Sequence, residues 1–130
     1  MNREIEFRAK SKNSGRWVYG DLITKKYKDR QGIHIYEKNE SFGYQVIRVD
    51  KKTIGEFSGL KDKNGIKIFE GDILLVGGTQ KVVVSFEDGQ FVISHYAINL
   101  LKDRTLESEV IGNIYDNPEL LGGSNENEST

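Results

Sequence analysis

Residues 81–95 read KVVVSFEDGQFVISH, and the Asp88-Gly89 pair at the centre of that run decides how the rest of the chain is read. Asp and Gly accept positive φ at little cost, so the pair suits a two-residue turn between antiparallel strands. Pairing Glu87 with Gln90 sets Phe86 against Phe91, Val84 against Ile93 and Val82 against His95. One face then carries Val82, Val84, Phe86, Phe91 and Ile93, which is the expected core face. Val83, Ser85, Val92 and Ser94 on the other face are only partly polar and suit cover by another element. Each cross-strand pair is worth a few tenths to about 1 kcal/mol beyond an Ala pair.

Upstream of this hairpin, residues 53–76 read TIGEFSGLKDKNGIKIFEGDILLV. Thr53–Phe57 is short and β-prone, Lys61–Gly65 is a turn, and Ile66–Phe69 leads on towards a strand that starts after Gly71-Asp72. A tight hairpin centred on Asn64-Gly65 would oppose Lys61 with Ile68 and Lys63 with Ile66. Charged and apolar side chains would then share one face, so a looser turn is expected.

Nearer the start, Ile5, Phe7 and Ala9 alternate with Glu6 and Arg8, the two-residue period of a half-buried strand over Glu4–Ala9. Asn13-Ser14-Gly15 turns the chain into a second strand, Arg16–Ile23, with Trp17 and Tyr19 on one face and Val18 on the other. Residues 25–43, KKYKDRQGIHIYEKNESFG, are dense in charge and read as an excursion in which only Ile33–Glu37 is strand-like. Tyr44–Val49 and Glu109–Tyr115 are β-rich. Residues 95–106 are ambiguous between a short helix and an irregular segment. Asn117-Pro118 fits a helix N-cap followed by Pro at the first helical position, with Glu119 in the first turn and Gly122-Gly123 as the stop. Many short strands with 14 glycines give a mainly β class, expected as a small, partly open β-barrel, SH3-like in part, with a short C-terminal helical turn. Residues 1–121 are expected as a single domain, and 122–130 as a disordered acidic tail.

Composition bounds the function. The 130 residues contain no cysteine, which excludes disulfides, thiolate metal sites and Cys nucleophiles and suits a reducing cytoplasm. Seven charged side chains in the first twenty residues leave no room for a signal peptide, and no apolar run is long enough to span a bilayer. Net charge is −1 overall, yet residues 1–63 carry 15 Lys or Arg against 9 Asp or Glu, a net +6, while residues 64–130 carry 4 against 11, a net −7. Either the two signs interleave in the fold, or a basic face meets nucleic acid or an acidic face of a neighbouring subunit.

Chemistry-bearing patterns are sparse. His34 and His95 stand 61 positions apart and suggest no metal site. No G-x-S-x-G elbow, G-x-G-x-x-G loop or P-loop pattern occurs. Asp62, Glu70 and Asp72 are close enough in sequence for acid–base or Mg²⁺ chemistry, but each sits at a turn or strand start where bonding to local backbone amides is the simpler role. No catalytic residue, cofactor or metal is assigned. The basic run Lys25, Lys26, Tyr27, Lys28 and Arg30, with Trp17, Tyr19 and Tyr36 nearby in sequence, is the candidate binding surface, offering phosphate contacts and stacking.

Three segments carry a family resemblance: I-E-F-R at 5–8, TIG-x-F-x-GLKDKNG-x-x-I-x-EGDI from Thr53, and VIGNIYDNPELL at 110–121. Together they cover about half the chain and resemble the YopX family of small phage and prophage proteins. Lys10 stands where that family usually has an aromatic, and residues 25–43 have no counterpart in it. The resemblance implies a cytoplasmic, mainly β, phage- or prophage-encoded protein and supplies no reaction. The resulting expectation is a non-enzymatic binding or assembly module, a homo-oligomer, that contacts a host or phage protein and no membrane. A nucleic-acid-binding module using residues 25–30 is the alternative.

Overall fold

The structure is a computed structural model that describes residues 4–26, 28–41, 43–93, 96–97 and 107–122. It is mainly β, with the strands in two antiparallel sheets, and a 3-10 turn at Pro118–Leu121 forms the short C-terminal helical element. Among the described residues no sheet closes into a barrel. Two compact units follow one another along the chain, Met1–Phe57 and Ser58–Thr130.

The first unit contains β1 (Phe7–Lys10), β2 (Trp17–Ile23), β3 (Ile33–Asn39), β4 (Gly43–Val49) and the start of β5 (Gly55–Lys61), ordered β4-β3-β2-β1-β5. The turn into β2 is built by Ser11, whose Oγ accepts from the amides of Asn13 and Ser14 at 3.2 and 3.3 Å. Gly15, at φ +75°, completes that turn. Inward-facing Ala9, Val18, Ile35 and Val49 form the core, with Phe7, Leu22, Ile33, Ile47 and Ile54 packed on them. Burying each of the larger side chains contributes roughly 1.5–3 kcal/mol. The sheet rolls around this core until the end of β4 meets the chain beyond β1. Ser11 bridges Val49, the Lys12 amide donates to the Arg48 carbonyl at 2.9 Å, and the Asp50 amide donates to the Lys10 carbonyl at 2.8 Å. One bridge is not a ladder, so the roll stays partly open.

The charged stretch 25–43 is more regular than its composition suggests. β3 runs through Asn39 and pairs residue for residue with β4, from Ile33–Val49 to Asn39–Gly43. Ile35 opposite Ile47 supplies the inward face that holds this hairpin in register, and the charges lie on the other side or at the tip except Glu37, which shares the face of Ile35 and is paired with Arg16. Ile5, expected in a strand beside Phe7, lies outside β1 and is 60% exposed.

The second unit contains the rest of β5, then β6 (Lys67–Phe69), β7 (Asp72–Val76), β8 (Gln80–Glu87), β9 (Gln90–Ile93), β10 (Tyr96–Ala97) and β11 (Ser108–Asn113). Its sheet has the order β10-β9-β8-β7-β11. The β8–β9 register is the expected one, Glu87–Gln90, Phe86–Phe91 and Val84–Ile93, with Asp88 at φ +51° and Gly89 at φ +80° in the turn. The expected partner of Val82, His95, lies outside the described residues, as do residues 98–106 and 123–130, which include most of the expected tail. Val82, Val84, Phe91 and Ile93 form the core with Ile68 and Leu74. Phe86 does not join them: it is 49% exposed and meets Phe91 edge-on, ring centres 5.0 Å apart. The β7 ladder reaches β8 only as far as Val83, so the hairpin tip extends beyond the neighbour that would have covered Phe86.

Candidate functional site

Two acidic residues of the 53–76 segment, Asp62 and Asp72, turn inwards, while Glu56 and Glu70 are half-buried. Asp62, 7% exposed, accepts through Oδ1 from the Asn64 and Ile66 amides at 2.8 and 2.9 Å, and through Oδ2 from the Val110 amide at 2.9 Å. One carboxylate thereby closes the loose turn and ties it to β11. Asp72, 2% exposed, accepts from the Phe69 amide at 2.7 Å and fixes the bend between β6 and β7. Both are structural anchors of the kind the sequence suggested. Thr53 does the same in the first unit: its hydroxyl accepts from the Lys10 amide at 2.8 Å and donates to the Asp50 carbonyl at 2.7 Å.

The 110–121 segment is also held by its own polar side chains. Asn113 Oδ1 accepts from the Tyr115 and Asp116 amides at 3.0 and 2.9 Å. Asn117, expected as a helix cap, makes no cap bond; its Oδ1 instead accepts from the Asn113 amide at 3.2 Å. It thereby packs over Gly112, where an added Cβ would lie 2.6 Å from Asn117 Oδ1, and Gly112 sits at the register shift of the β7–β11 ladder. The Ile114 amide reaches back to the Gly71 carbonyl at 2.9 Å. Residues 58–76 and 110–121 are thus one assembled piece of scaffold.

The first unit presents a different surface. Its outward side chains include Tyr19, Tyr36 and Tyr44, 40, 38 and 58% exposed. Tyr36 and Tyr44 stack diagonally across the β3–β4 pair with ring centres 5.0 Å apart and planes within 10°. These three tyrosines and Ile5 line an open cleft of about 500 Å³, rimmed by Glu4, Glu6, Asp21, Glu37 and Lys38. Gly20 forms part of its floor because only a hydrogen fits against the Tyr36 carbonyl oxygen at that point. Glu37 is gripped by the Arg16 guanidinium, at 3.0 and 3.3 Å to its two oxygens, which raises the Arg16 pKa further above its ordinary value. Beside this face Arg8, 6% exposed, lies with its guanidinium carbon 4.7 Å from the centre of the Trp17 ring, and Lys10 Nζ lies 5.6 Å from it.

The basic run lies at the opposite end of the β2–β3 hairpin. Lys25, Lys26, Lys28 and Arg30 are exposed, and Tyr27 lies outside the described residues. Arg30 Nη1 donates to the Val46 carbonyl at 3.2 Å, so this cation is partly committed to the fold. A second open cleft of about 490 Å³ is lined by Thr24, Lys26, Arg30, Gln31, Gly32 and Ile33. His34, 1% exposed, has its pKa lowered by burial, and further by the positive charges of Arg30 and Arg48, against a smaller opposing effect of the Gly32 backbone.

A family model described as YopX protein matches residues 6–122, nearly the whole chain. The chain belongs to the YopX family. No curated protein matches it. Among solved structures it is similar to the crystal structure of protein EF1440 from Enterococcus faecalis, with a TM-score of 0.57 and 22% identity, over 93% of this chain and 100% of that one. At that identity the likeness speaks to the fold alone. In this YopX chain, the family-like motifs at 53–76 and 110–121 hold amides and turns, whereas the residues gathered at the larger cleft lie mostly outside them. Trp17, Tyr19 and Tyr36 were legible as aromatics near a basic run, but the structure groups Tyr19 and Tyr36 with acidic neighbours. Tyr44 and Ile5 were missed. Tyr44's signal was its place two residues before Val46, the cross-strand partner of Tyr36.

Proposed function

We propose that this YopX-family chain is a phage- or prophage-encoded binding module without a reaction of its own, which contacts a host or phage protein in the cytoplasm through the tyrosine cleft of the first unit. The supporting observation is the convergence of Tyr19, Tyr36, Tyr44 and Ile5, all at least 38% exposed, on one open cleft. Tyrosines offer large rigid contact area with a polar tip and are enriched at protein interfaces and their hot spots. Of the carboxylates considered for acid–base chemistry, Asp62, Glu70 and Asp72, Asp62 has both oxygens and Asp72 has Oδ2 engaged by backbone amides.

The test is a photoreactive amino acid at position 44 in the intact chain, expressed in the host and irradiated. A discrete adduct, identified by mass spectrometry and lost when Tyr19 and Tyr36 are both replaced by Ser, is expected. No adduct, or one indifferent to those substitutions, overturns the reading.

A second reading is favoured by the smaller cleft beside Lys26 and Arg30. There Lys25, Lys26, Lys28 and Arg30 are proposed to bind nucleic acid through phosphates. Retention of random single-stranded DNA on filters is then expected to weaken with salt, log affinity falling by about 0.7 per phosphate contact for each decade of salt. Absence of retention at low salt removes this reading.

A further inference from the structure

The larger cleft has a distinctive electrostatic character. Three carboxylates, Glu4, Glu6 and Asp21, stand beside its three tyrosines with one lining cation, Lys38; Glu37 is already paired with Arg16, and Arg8, the cross-strand partner of Tyr19, is held over the Trp17 ring. Such a site suits a lysine or arginine side chain, whose charge is attracted by the rim and whose head group stacks on a tyrosine face. The same unit already uses this chemistry, with Arg8 and Lys10 placed over the Trp17 ring. It also displays a matching cationic element, the loop between β2 and β3 with Lys25, Lys26, Lys28 and Arg30.

That loop does not serve its own cleft. The cleft takes Tyr36, Glu37 and Lys38 from the far end of β3, three to five residues beyond Ile33, where the loop ends. At ~3.3 Å per residue this is a separation of about 10–17 Å along a paired strand. Arg30 does reach the register level of Tyr36, but its guanidinium is committed there to the Val46 carbonyl and is not among the residues that line the cleft. Two copies laid antiparallel, hairpin beside hairpin, bring each loop to the cleft end of the other. A two-fold arrangement makes both contacts at once, and forming one raises the effective concentration for the second.

We infer that the acidic tyrosine cleft receives the lysine-bearing β2–β3 loop of a second copy of this chain, each member of a two-fold pair docking its loop in the other's cleft. This rests on the reading of the cleft as a protein-contact surface and names its occupant. Exposed ion pairs are individually weak and screened by salt, so the pair forms at high protein concentration and dissociates as salt rises.

The experiment is sedimentation velocity on the full chain, from roughly 10 to 500 µM, at about 0.05 M and about 0.5 M salt. A reversible dimer is expected at low salt, with the dissociation constant rising about tenfold or more at high salt. Two exposed double variants, Lys25→Glu with Lys26→Glu, and Glu4→Lys with Asp21→Lys, are each expected to be monomeric. Mixed in equal amounts they regain the dimer, because the reversed loop now matches the reversed cleft. Circular dichroism of each variant verifies that the fold survives. A wild-type monomer under both conditions, a dimer indifferent to the substitutions, or a mixture that stays monomeric overturns the inference. A mapped adduct at position 44 with a different protein, alongside a monomeric wild type, would leave the protein-contact reading standing and remove only the second copy as occupant.

Discussion

Both units hold turns with polar side chains, but among the described residues only the first gathers exposed tyrosines on one face. In the second, Asp62, Asp72, Asn113 and Asn117 face backbone amides and make the connections between strands rigid. In the first, Tyr19, Tyr36 and Tyr44 face outwards beside an acidic rim, and the strands beneath them are held by apolar packing and by the Ser11 and Thr53 turns. The motif stretches at 58–76 and 110–121 therefore serve the building of the fold. The surface able to meet another molecule is carried largely by residues outside them.

The contrast can be broken most forcefully at Asp62. Replacing it with Ala leaves three amide donors without their acceptor at a site only 7% exposed, and we expect a loss of about 3–5 kcal/mol in urea unfolding of the full chain. A loss below about 1 kcal/mol would mean that water replaces the carboxylate and that this side chain is no anchor. Gly20→Ala comes next, because its Cβ would collide with the Tyr36 carbonyl oxygen. We expect about 2–3 kcal/mol of destabilisation, together with loss of the position-44 adduct as the cleft floor is displaced.

Tyr44→Ser sharpens the comparison from the other side. The residue is 58% exposed, so stability should fall by no more than about 1 kcal/mol, the scale of its stacking on Tyr36, while partner contact is lost. A large stability loss without a binding defect would assign the tyrosines to the scaffold. Arg16→Ala should cost less still, about 0.5 kcal/mol by thermal melting, because its partner Glu37 is met from an arginine that is half exposed.

Acidity probes the first unit separately. His34 has a folded-state pKa below its ordinary value, chiefly through burial. The unfolded chain therefore takes up the proton first, so the stability tied to neutral His34 is present above the unfolded value of about 6.5 and is lost as pH falls below it towards the folded pKa. Melting temperatures measured from about pH 8 to pH 5 should decline over the acidic part of that range, and His34→Gln should flatten the decline. An unchanged profile in the variant would assign the acid sensitivity to other groups.

The sequence conveyed the fold where local rules suffice. Asp88-Gly89 gave the β8–β9 register, and the positions of Asp62 and Asp72 beside turns gave their amide-binding roles. It was less clear where the answer depended on what lies alongside. Phe86 has the right alternation for a core residue, but the length of the neighbouring β7 ladder decides its exposure. The β3–β4 hairpin was hidden because charges at its tip and outer face masked the inward pair Ile35 and Ile47. The larger cleft was hidden for a similar reason: Tyr19, Tyr36 and Tyr44 are separated by 17 and 8 positions and meet only through two strand registers.

The meeting of Ser11 with Val49 has one more consequence. An outer strand with unsatisfied carbonyls invites endless strand-by-strand growth. Here the Arg48 carbonyl is taken by the Lys12 amide and the Val46 carbonyl by Arg30 Nη1, so β4 offers an interrupted template. Copies of the chain can thus be crowded together without this edge of the sheet templating further strands.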